Sequence, residues 1–368
     1  MANLLTIMLP EPGHIIPALE LARALKELGH TVCFVTLEHF HDGIRKAGFD
    51  CAPVHVSRSI ECSGTNLLYS PLSLFDTANA SPEEEREYFL TIFENIRRVK
   101  PDMVLVDRLL AYNCPFFDAL HIRYLLVGTN FGDGLDQFKL SKPEGREELL
   151  LCPRSIAAAE DLEDTKRYFF DTPITRDRSI SSFRWEMIDP SRPLVYCSFG
   201  TQVDTYQEAP AILREIIHYL AATCSCQIVA VAGASMLKEY GDLDVPGVLL
   251  TPCAPQLDIL ERADVLISHG GLGTIKEALH FAVPMFLIPF VHDQFANANR
   301  VLKAGYGRQL SSLEWSTSNF RAEYEAFRDC LPQLRENLAL RARSSLPNAK
   351  LALDGLGELV TSVLQSPR

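Results

Sequence analysis

The stretch Asp264–Arg300, DVLISHGGLGTIKEALHFAVPMFLIPFVHDQFANANR, decides how this chain is read. It opens on a short apolar run, Val265–Ser268, with the length and composition of a buried parallel strand. His269, Gly270, Gly271, Leu272, Gly273 and Thr274 follow, and then a helical pattern over Ile275–Phe281. A second apolar run, Val283–Pro289, leads to His292, Asp293 and Gln294 and to another helical start through Asn297 and Arg300. The pattern predicts a βαβ unit with polar groups in both strand-to-helix loops. In open parallel sheets, ligands sit outside the carboxyl ends of the strands, where such loops lie.

The first of these loops suits an anion. Three glycines allow close backbone approach, and the unpaired N–H groups of a helix start carry roughly half a positive charge. His269 and the Thr274 hydroxyl add donors, and Glu277, three residues past Thr274, is placed to accept from a ribose diol. Diphosphate first and sugar hydroxyls next describes a nucleotide site. A ligand-free glycine turn is the plainer reading of any single glycine cluster. No Gly-Lys-Ser/Thr triplet follows, so this is no P-loop. Lys276 stands where the dinucleotide fingerprint needs a small third residue, which disfavours a hydride-transfer enzyme.

The chain has 368 residues, enough for two domains at ~150 residues each. Its net charge of −12 argues against electrostatic binding to nucleic acid or an anionic membrane. The start, MANLLTIMLPEPGH, lacks the basic residues of a signal peptide, and no apolar run reaches the ~18 residues of a membrane span. Ten cysteines occur without a Cys-x-x-Cys pair, several inside apolar runs, which fits a reduced cytoplasm. Cys224-Ser-Cys226 and His39-x-His41 read as core and turn rather than metal sites. Asp242-x-Asp244, a spacing that metal-dependent transferases use, reads as a solvated turn. No metal is therefore expected.

Upstream the same alternation appears twice. Leu4–Leu9 is a strand candidate and Pro10–His14 a turn. Pro17 suits a first helical turn, with Ala18, Leu21, Ala22, Leu25 and Leu28 at helical spacing behind it. Thr31–Thr36 is the next strand. Residues 55–80 form a long loop with scattered apolar residues, of the kind that lines binding pockets. Ser81-Pro82-Glu83-Glu84 is a capping box opening a helix whose buried face holds Phe89, Ile92, Phe93 and Ile96. Met103–Val106 is a strand ending at Asp107, which in the plain reading caps the segment after it. Leu125–Val127 is another strand, Gly128–Gly145 a loop, and Ala157–Arg167 a charged surface helix. The proline-rich segment around 173–191 reads as a linker between domains at 1–172 and 192–347. In the second domain Leu194–Ser198, Ile228–Val231 and Val248–Leu250 are strands, with Ala211–Leu220 and Asn319–Leu340 helical. The last segment, 348–368, holds a final amphipathic helix.

Residues 264–300 resemble the signature segment of the UDP-glycosyltransferase family, inverting enzymes of the GT-B fold. The segment looks like that of the bacterial macrolide and carotenoid glycosyltransferases. The matches are His269 and Gly271, Glu277, Pro284, Pro289, and Asp293, Gln294, Asn297 and Ala298, with Ala254-Pro255-Gln256 and Leu260 upstream. Phe199-Gly200-Thr201 is similar to the family's Gly-Ser/Thr loop, and Glu11–Pro17 to its Gly-His-x-x-Pro stretch. Pro101-Asp102 through Asp107 resembles the segment whose aspartate supports the catalytic histidine.

The resemblance implies two Rossmann-like α/β domains facing each other across a cleft, with the terminal helix bracing the first. It implies transfer of a hexose from a UDP- or TDP-linked sugar to a hydroxyl of a small, lipophilic acceptor, with inversion and without a cofactor or metal. His14 would be the base and Asp107 its support. Gly200, Thr201, His269, Gly271, Leu272, Gly273 and Thr274 would hold the diphosphate. Ala254, Gln256 and Glu277 would meet the base and ribose, and Asp293 and Gln294 the transferred sugar.

Two positions depart from the plant pattern. Cys253 stands where tryptophan stacks on uracil, and Gly273 where asparagine stands. A sugar-nucleotide epimerase of the same architecture and a non-catalytic nucleotide-sugar sensor are the competing readings.

Overall fold

The computed structural model describes residues 1–54, 82–132, 146–174, 183–200, 202–240, 245–345 and 349–366. Residues 55–80, expected to form a loop, and Ser81, Thr201 and the Asp242/Asp244 pair lie outside the described residues. The chain divides into two compact units, one of Met1–Pro173 with Asn348–Arg368 and one of Ile174–Pro347. Among the described residues, no helix is long and apolar enough to cross a membrane.

In the first unit, strands β1 (Asn3–Ile7), β2 (Thr31–Thr36), β3 (Asp50–Pro53), β4 (Met103–Asp107), β5 (Tyr124–Gly128), β6 (Glu148–Leu150) and β7 (Arg167–Phe169) form one sheet. Their order is β3-β2-β1-β4-β5-β6-β7, and each pairing is parallel. Successive residues alternate between two apolar layers. Leu4, Phe34, Met103 and Leu105 pack on one face, and Leu5, Val35, Val104 and Val106 on the other. That double burial explains why these strands read as continuous apolar runs. The helix Ala349–Gln365 adds Leu356, Leu359, Val360 and Val363 to the first of these layers.

The second unit repeats the scheme with β8 (Leu194–Ser198), β9 (Gln227–Val231), β10 (Val248–Thr251), β11 (Val265–Ser268), β12 (Met285–Leu287) and β13 (Gly307–Gln309). The order is β10-β9-β8-β11-β12-β13, again parallel. In each sheet the chain direction of winding reverses once, between β1 and β4 and between β8 and β11. A crevice opens at such a switch, because the neighbouring connections leave on opposite faces.

Several expectations are corrected. The first helix begins at Pro12, not Pro17, so residues 12–14 are helical rather than a turn. Pro12 with its fixed φ follows an extended Glu11 (φ −128°), and the His14 and Ile15 amides both donate to the Glu11 carbonyl. Pro17 lies inside that helix. In the helix Pro82–Val99, Phe93 is exposed, and the stripe that is buried runs through Tyr88, Ile92 and Asn95. The charged segment at 157–167 is helical only over Ala159–Glu163, and Arg167 enters β7. Strands β3, β6, β7 and β13 escaped the sequence reading, being three or four residues long and carrying Asp50, Glu148, Arg167 and Arg308. The segment read as a linker is fastened, where described, to the second unit. Gln227 donates to the Asp189 and Arg192 carbonyls, and the Arg262 guanidinium lies 4.2 Å from the Trp185 ring centroid.

Candidate active site

The switch between β1 and β4 decides which side chains meet in the first unit. His14 sits in the first helical turn after β1, and Asp107 ends β4. Their side chains are in contact, with His14 Nδ1 2.6 Å from Asp107 Oδ2. His14 is 9% exposed and Asp107 1%. The carboxylate also accepts from the Leu9 amide at 3.1 Å and the Leu109 amide at 2.9 Å. Asp107 is thus both the cap of the following turn and the partner of the histidine. Burial alone would raise its pKa. The His14 ring and the two amides outweigh that, and the pKa lies below the ordinary 3.8. An ionised carboxylate only accepts, so Nδ1 carries the ring proton and Nε2 is the basic nitrogen.

Thr129, one residue beyond β5, brings Oγ1 to 2.9 Å from the same Nδ1. From the sequence this residue is only part of the loop Gly128–Gly145. Its position directly after a central strand was the available signal.

In the second unit the switch lies between β8 and β11, and it brings Gly200 and His269 together. The buried His269 ring is held between two glycines. A Cβ on Gly200 would stand 2.6 Å from the ring's Cε1, and one on Gly271 2.5 Å from Nε2. Gly200 also adopts φ +79°, which favours glycine. These glycines admit an imidazole, a use that the reading as a ligand cradle did not include. Burial pushes the His269 pKa down to about 4, and a hydrogen bond to the Ser198 backbone offsets this only in part. The ring is neutral at pH 7 and brings a dipole rather than a charge.

The helix Leu272–His280 starts at Gly271 without a side-chain cap. The first amides of a helix have no intrahelical acceptor, so those of Leu272, Gly273 and Thr274 are available to an anion. Gly273 is exposed, and a Cβ there would meet nothing within 4 Å. Glu277, one turn in, is buried and accepts from Gln256 Nε2 at 2.5 Å. Gln256 in turn accepts from the Tyr196 hydroxyl at 3.1 Å and lies 3.5 Å from Thr274 Oγ1. Ala254 is half-buried two residues before it, and Cys253 is exposed.

Gln294 is turned inward. Its carbonyl accepts from the Phe290 and Val291 amides, and its amide donates to Tyr206 Oη at 3.0 Å. It fastens the loop that carries Asp293. Asn297 ties the two loops, donating to the Gly270 carbonyl and to Asp293 Oδ2, both at 3.1 Å.

Residues 220–349 match the family model of the erythromycin biosynthesis protein CIII-like C-terminal domain. The NDP-glycosyltransferase YjiC of Bacillus subtilis (strain 168) is 24% identical over 358 residues, covering 87% of each chain. The solved glycotransferase of kitacinnamycin superposes with a TM-score of 0.73 at 20% identity, over 98% of this chain and 99% of that one. The spinosyn rhamnosyltransferase SpnG, solved with thymidine diphosphate, gives 0.69 at 18% over 99% and 100%. Two parallel-sheet units and the likeness along the whole chain to solved glycosyltransferases show that the chain has the GT-B fold, and over residues 220–349 and in its likeness to YjiC it is similar to bacterial glycosyltransferases.

Proposed function

We propose that the protein is an inverting glycosyltransferase moving a hexose from a UDP- or TDP-linked sugar to a hydroxyl of a small, lipophilic acceptor. The observation that carries this reading is the 2.6 Å contact between His14 Nδ1 and the buried Asp107. Asp107 holds the ring in the tautomer that leaves Nε2 basic and stabilises the imidazolium once it forms. Nε2 takes the proton of the acceptor hydroxyl as that oxygen bonds to the anomeric carbon. The bond from that carbon to the diphosphate breaks, and its electron pair leaves with the diphosphate.

The leaving group is assigned to the amides of Leu272, Gly273 and Thr274, where a helix start supplies positive potential without a metal. His269, being neutral, contributes no charge there. Glu277, oriented by Gln256, is assigned to the ribose, and Asp293 to the transferred sugar. Gly200, with Thr201 beside it, and Ala254 complete the donor surface. The mostly apolar side chains at the carboxyl edge of the first sheet, Ile7, Met8, Pro10, Val35, Val54 and Leu110 with Thr36 and Tyr88 among them, favour a lipophilic acceptor, although the space they enclose is itself only water-sized.

The direct test is His14→Ala, assayed with UDP- and TDP-glucose against a panel of phenolic and macrolide alcohols. Transfer is expected to vanish while thermal stabilisation by the nucleoside diphosphate persists. A ligand at 100 times its Kd adds about 2.7 kcal/mol, enough to rank UDP, TDP and GDP by melting temperature. Undiminished transfer by the variant would remove the base assignment. Conversion of the donor with no acceptor present would put an epimerase in its place.

A further inference from the structure

Arg108 follows Asp107 directly, is 4% exposed, and sits in a charged cluster that the transfer chemistry does not use. Its Nη1 lies 2.6 Å from Oε1 of Glu148, a fully buried residue of β6. Its Nη2 donates to the Asn130 backbone carbonyl at 2.5 Å and to Asn130 Oδ1 at 2.6 Å, and Nη1 reaches the Phe131 carbonyl at 3.5 Å. Glu148 is also bonded by Arg167 Nε at 3.1 Å, and Arg167 pairs with Asp161 at 2.6 Å. Gly132 completes the enclosure with φ +91°, and a Cβ there would come within 2.8 Å of Arg108 Nη1.

Buried ion pairs are a poor way to hold a sheet edge, since well-packed apolar residues of similar volume do so at least as well. A planar guanidinium does what an apolar residue does not: it fixes several acceptors of one loop at once. All three acceptors here belong to Asn130 and Phe131, and the residue before them is Thr129. Strands β4 and β5 are parallel neighbours with Asp107 opposite Val127, so the pairs Asp107-Arg108 and Thr129-Asn130 leave the same edge side by side. One member of each pair meets His14 Nδ1, Asp107 at 2.6 Å and Thr129 at 2.9 Å. The other member of each joins the clamp.

We propose that Arg108 and Glu148 are positioning residues for His14, acting through Thr129: they pin the 130–131 backbone so that the Thr129 hydroxyl stays on Nδ1. This rests on His14 being the base. With Nδ1–H committed to Asp107, Thr129 Oγ1 accepts a second share of that proton. It thereby restrains the ring plane and favours the protonated imidazole.

The test is a double-mutant cycle read on His14 itself, by imidazole 15N shifts across a pH titration, with its resonance identified by its loss in His14→Ala. Thr129→Val is expected to lower the apparent pKa of His14 by about half a unit, and Thr129→Ser to restore it. The charge-neutral pair Arg108→Met with Glu148→Gln is expected to produce the same shift. Adding Thr129→Val to that pair should add nothing further. If the paired variant fails to fold, Gly132→Ala, which displaces the guanidinium from the loop side, takes its place. An unshifted His14 in Thr129→Val, or shifts that simply add, would overturn the proposal. Because the readout needs neither donor nor acceptor, it stands apart from the base assignment. Retained transfer in His14→Ala would sink that assignment while leaving the measured coupling in place.

Discussion

His14 and His269 lie at the carboxyl edges of two sheets of the same winding, on opposite sides of the reversal of strand order: His14 comes after β1, in the first turn of its helix, and His269 directly follows β11, the counterpart of β4. Their surroundings set them to opposite tasks. His14 meets a carboxylate held ionised by the ring itself and by two backbone amides. His269 is wedged between Gly200 and Gly271, and burial takes its pKa to about 4. The first is equipped to carry a proton, and the second to stay neutral while shaping the backbone around it. Topology supplies the position, and the neighbouring one or two residues supply the chemistry.

The strongest way to break this contrast is to take the carboxylate from His14. Asp107→Asn keeps an acceptor for the capped amides but presents an amide to the ring and favours the wrong tautomer. A fall in kcat on the order of 10³-fold is expected, with the Kd for the nucleoside diphosphate unchanged by calorimetry. Changing His269 to Gln should do the reverse, weakening nucleotide binding through altered loop geometry while the pH dependence of kcat keeps its shape.

The next largest effect concerns packing. Gly271→Ala drives a methyl to 2.5 Å from His269 Nε2, and Gly200→Ala adds a disfavoured φ to a similar clash. Each is expected to lower stability by about 1–3 kcal/mol and to raise the donor KM, read by denaturant melts and initial rates. An unchanged melt would mean the imidazole has room to move and that the glycines serve only a ligand.

The pH dependence of stability separates the two histidines. His269 has a folded pKa of about 4 against 6.5 for the free side chain, so between those values the unfolded chain binds the extra proton. Stability is then lost as pH falls from 6.5 towards 4, by on the order of 3 kcal/mol. His269→Gln should flatten melting temperature over that window. Asp107 acts lower down. Its depressed pKa gives stability that is present above 3.8 and lost as pH falls through the folded value.

Much of this was legible because parallel strands buried on both faces read as unbroken apolar runs. Val265–Ser268 and Leu194–Ser198 appear in the sequence as they stand in the sheets. The short strands β6 and β7 were hidden, because they carry Glu148 and Arg167, which pair with each other, Arg167 also pairing with Asp161. At the site, His14, Asp107, His269 and Glu277 stood out as polar residues at strand ends or a helix start. Thr129 did not, since an isolated threonine in a long loop has no periodicity to mark it. The inward turn of Gln294 was equally hidden: its partners Phe290, Val291 and Tyr206 are set by the loop's path.

The mildest change probes the glycine that the contrast leaves over. Unlike Gly200 and Gly271, Gly273 touches neither the imidazole nor anything else within 4 Å of a Cβ, and it lies in the first turn of its helix. Nothing in its backbone demands glycine, so the residue is free to vary without disturbing His269. Gly273→Asn, which installs the side chain of the plant pattern, should leave the melting temperature within a few degrees, because helix propensity favours asparagine over glycine by only a few tenths of a kcal/mol. Donor KM is expected to shift by no more than a few-fold, since the backbone amide assigned to the diphosphate is retained. A loss as large as that of Gly271→Ala would mean that the space before this helix is filled by the donor itself and that glycine is kept for the ligand's sake.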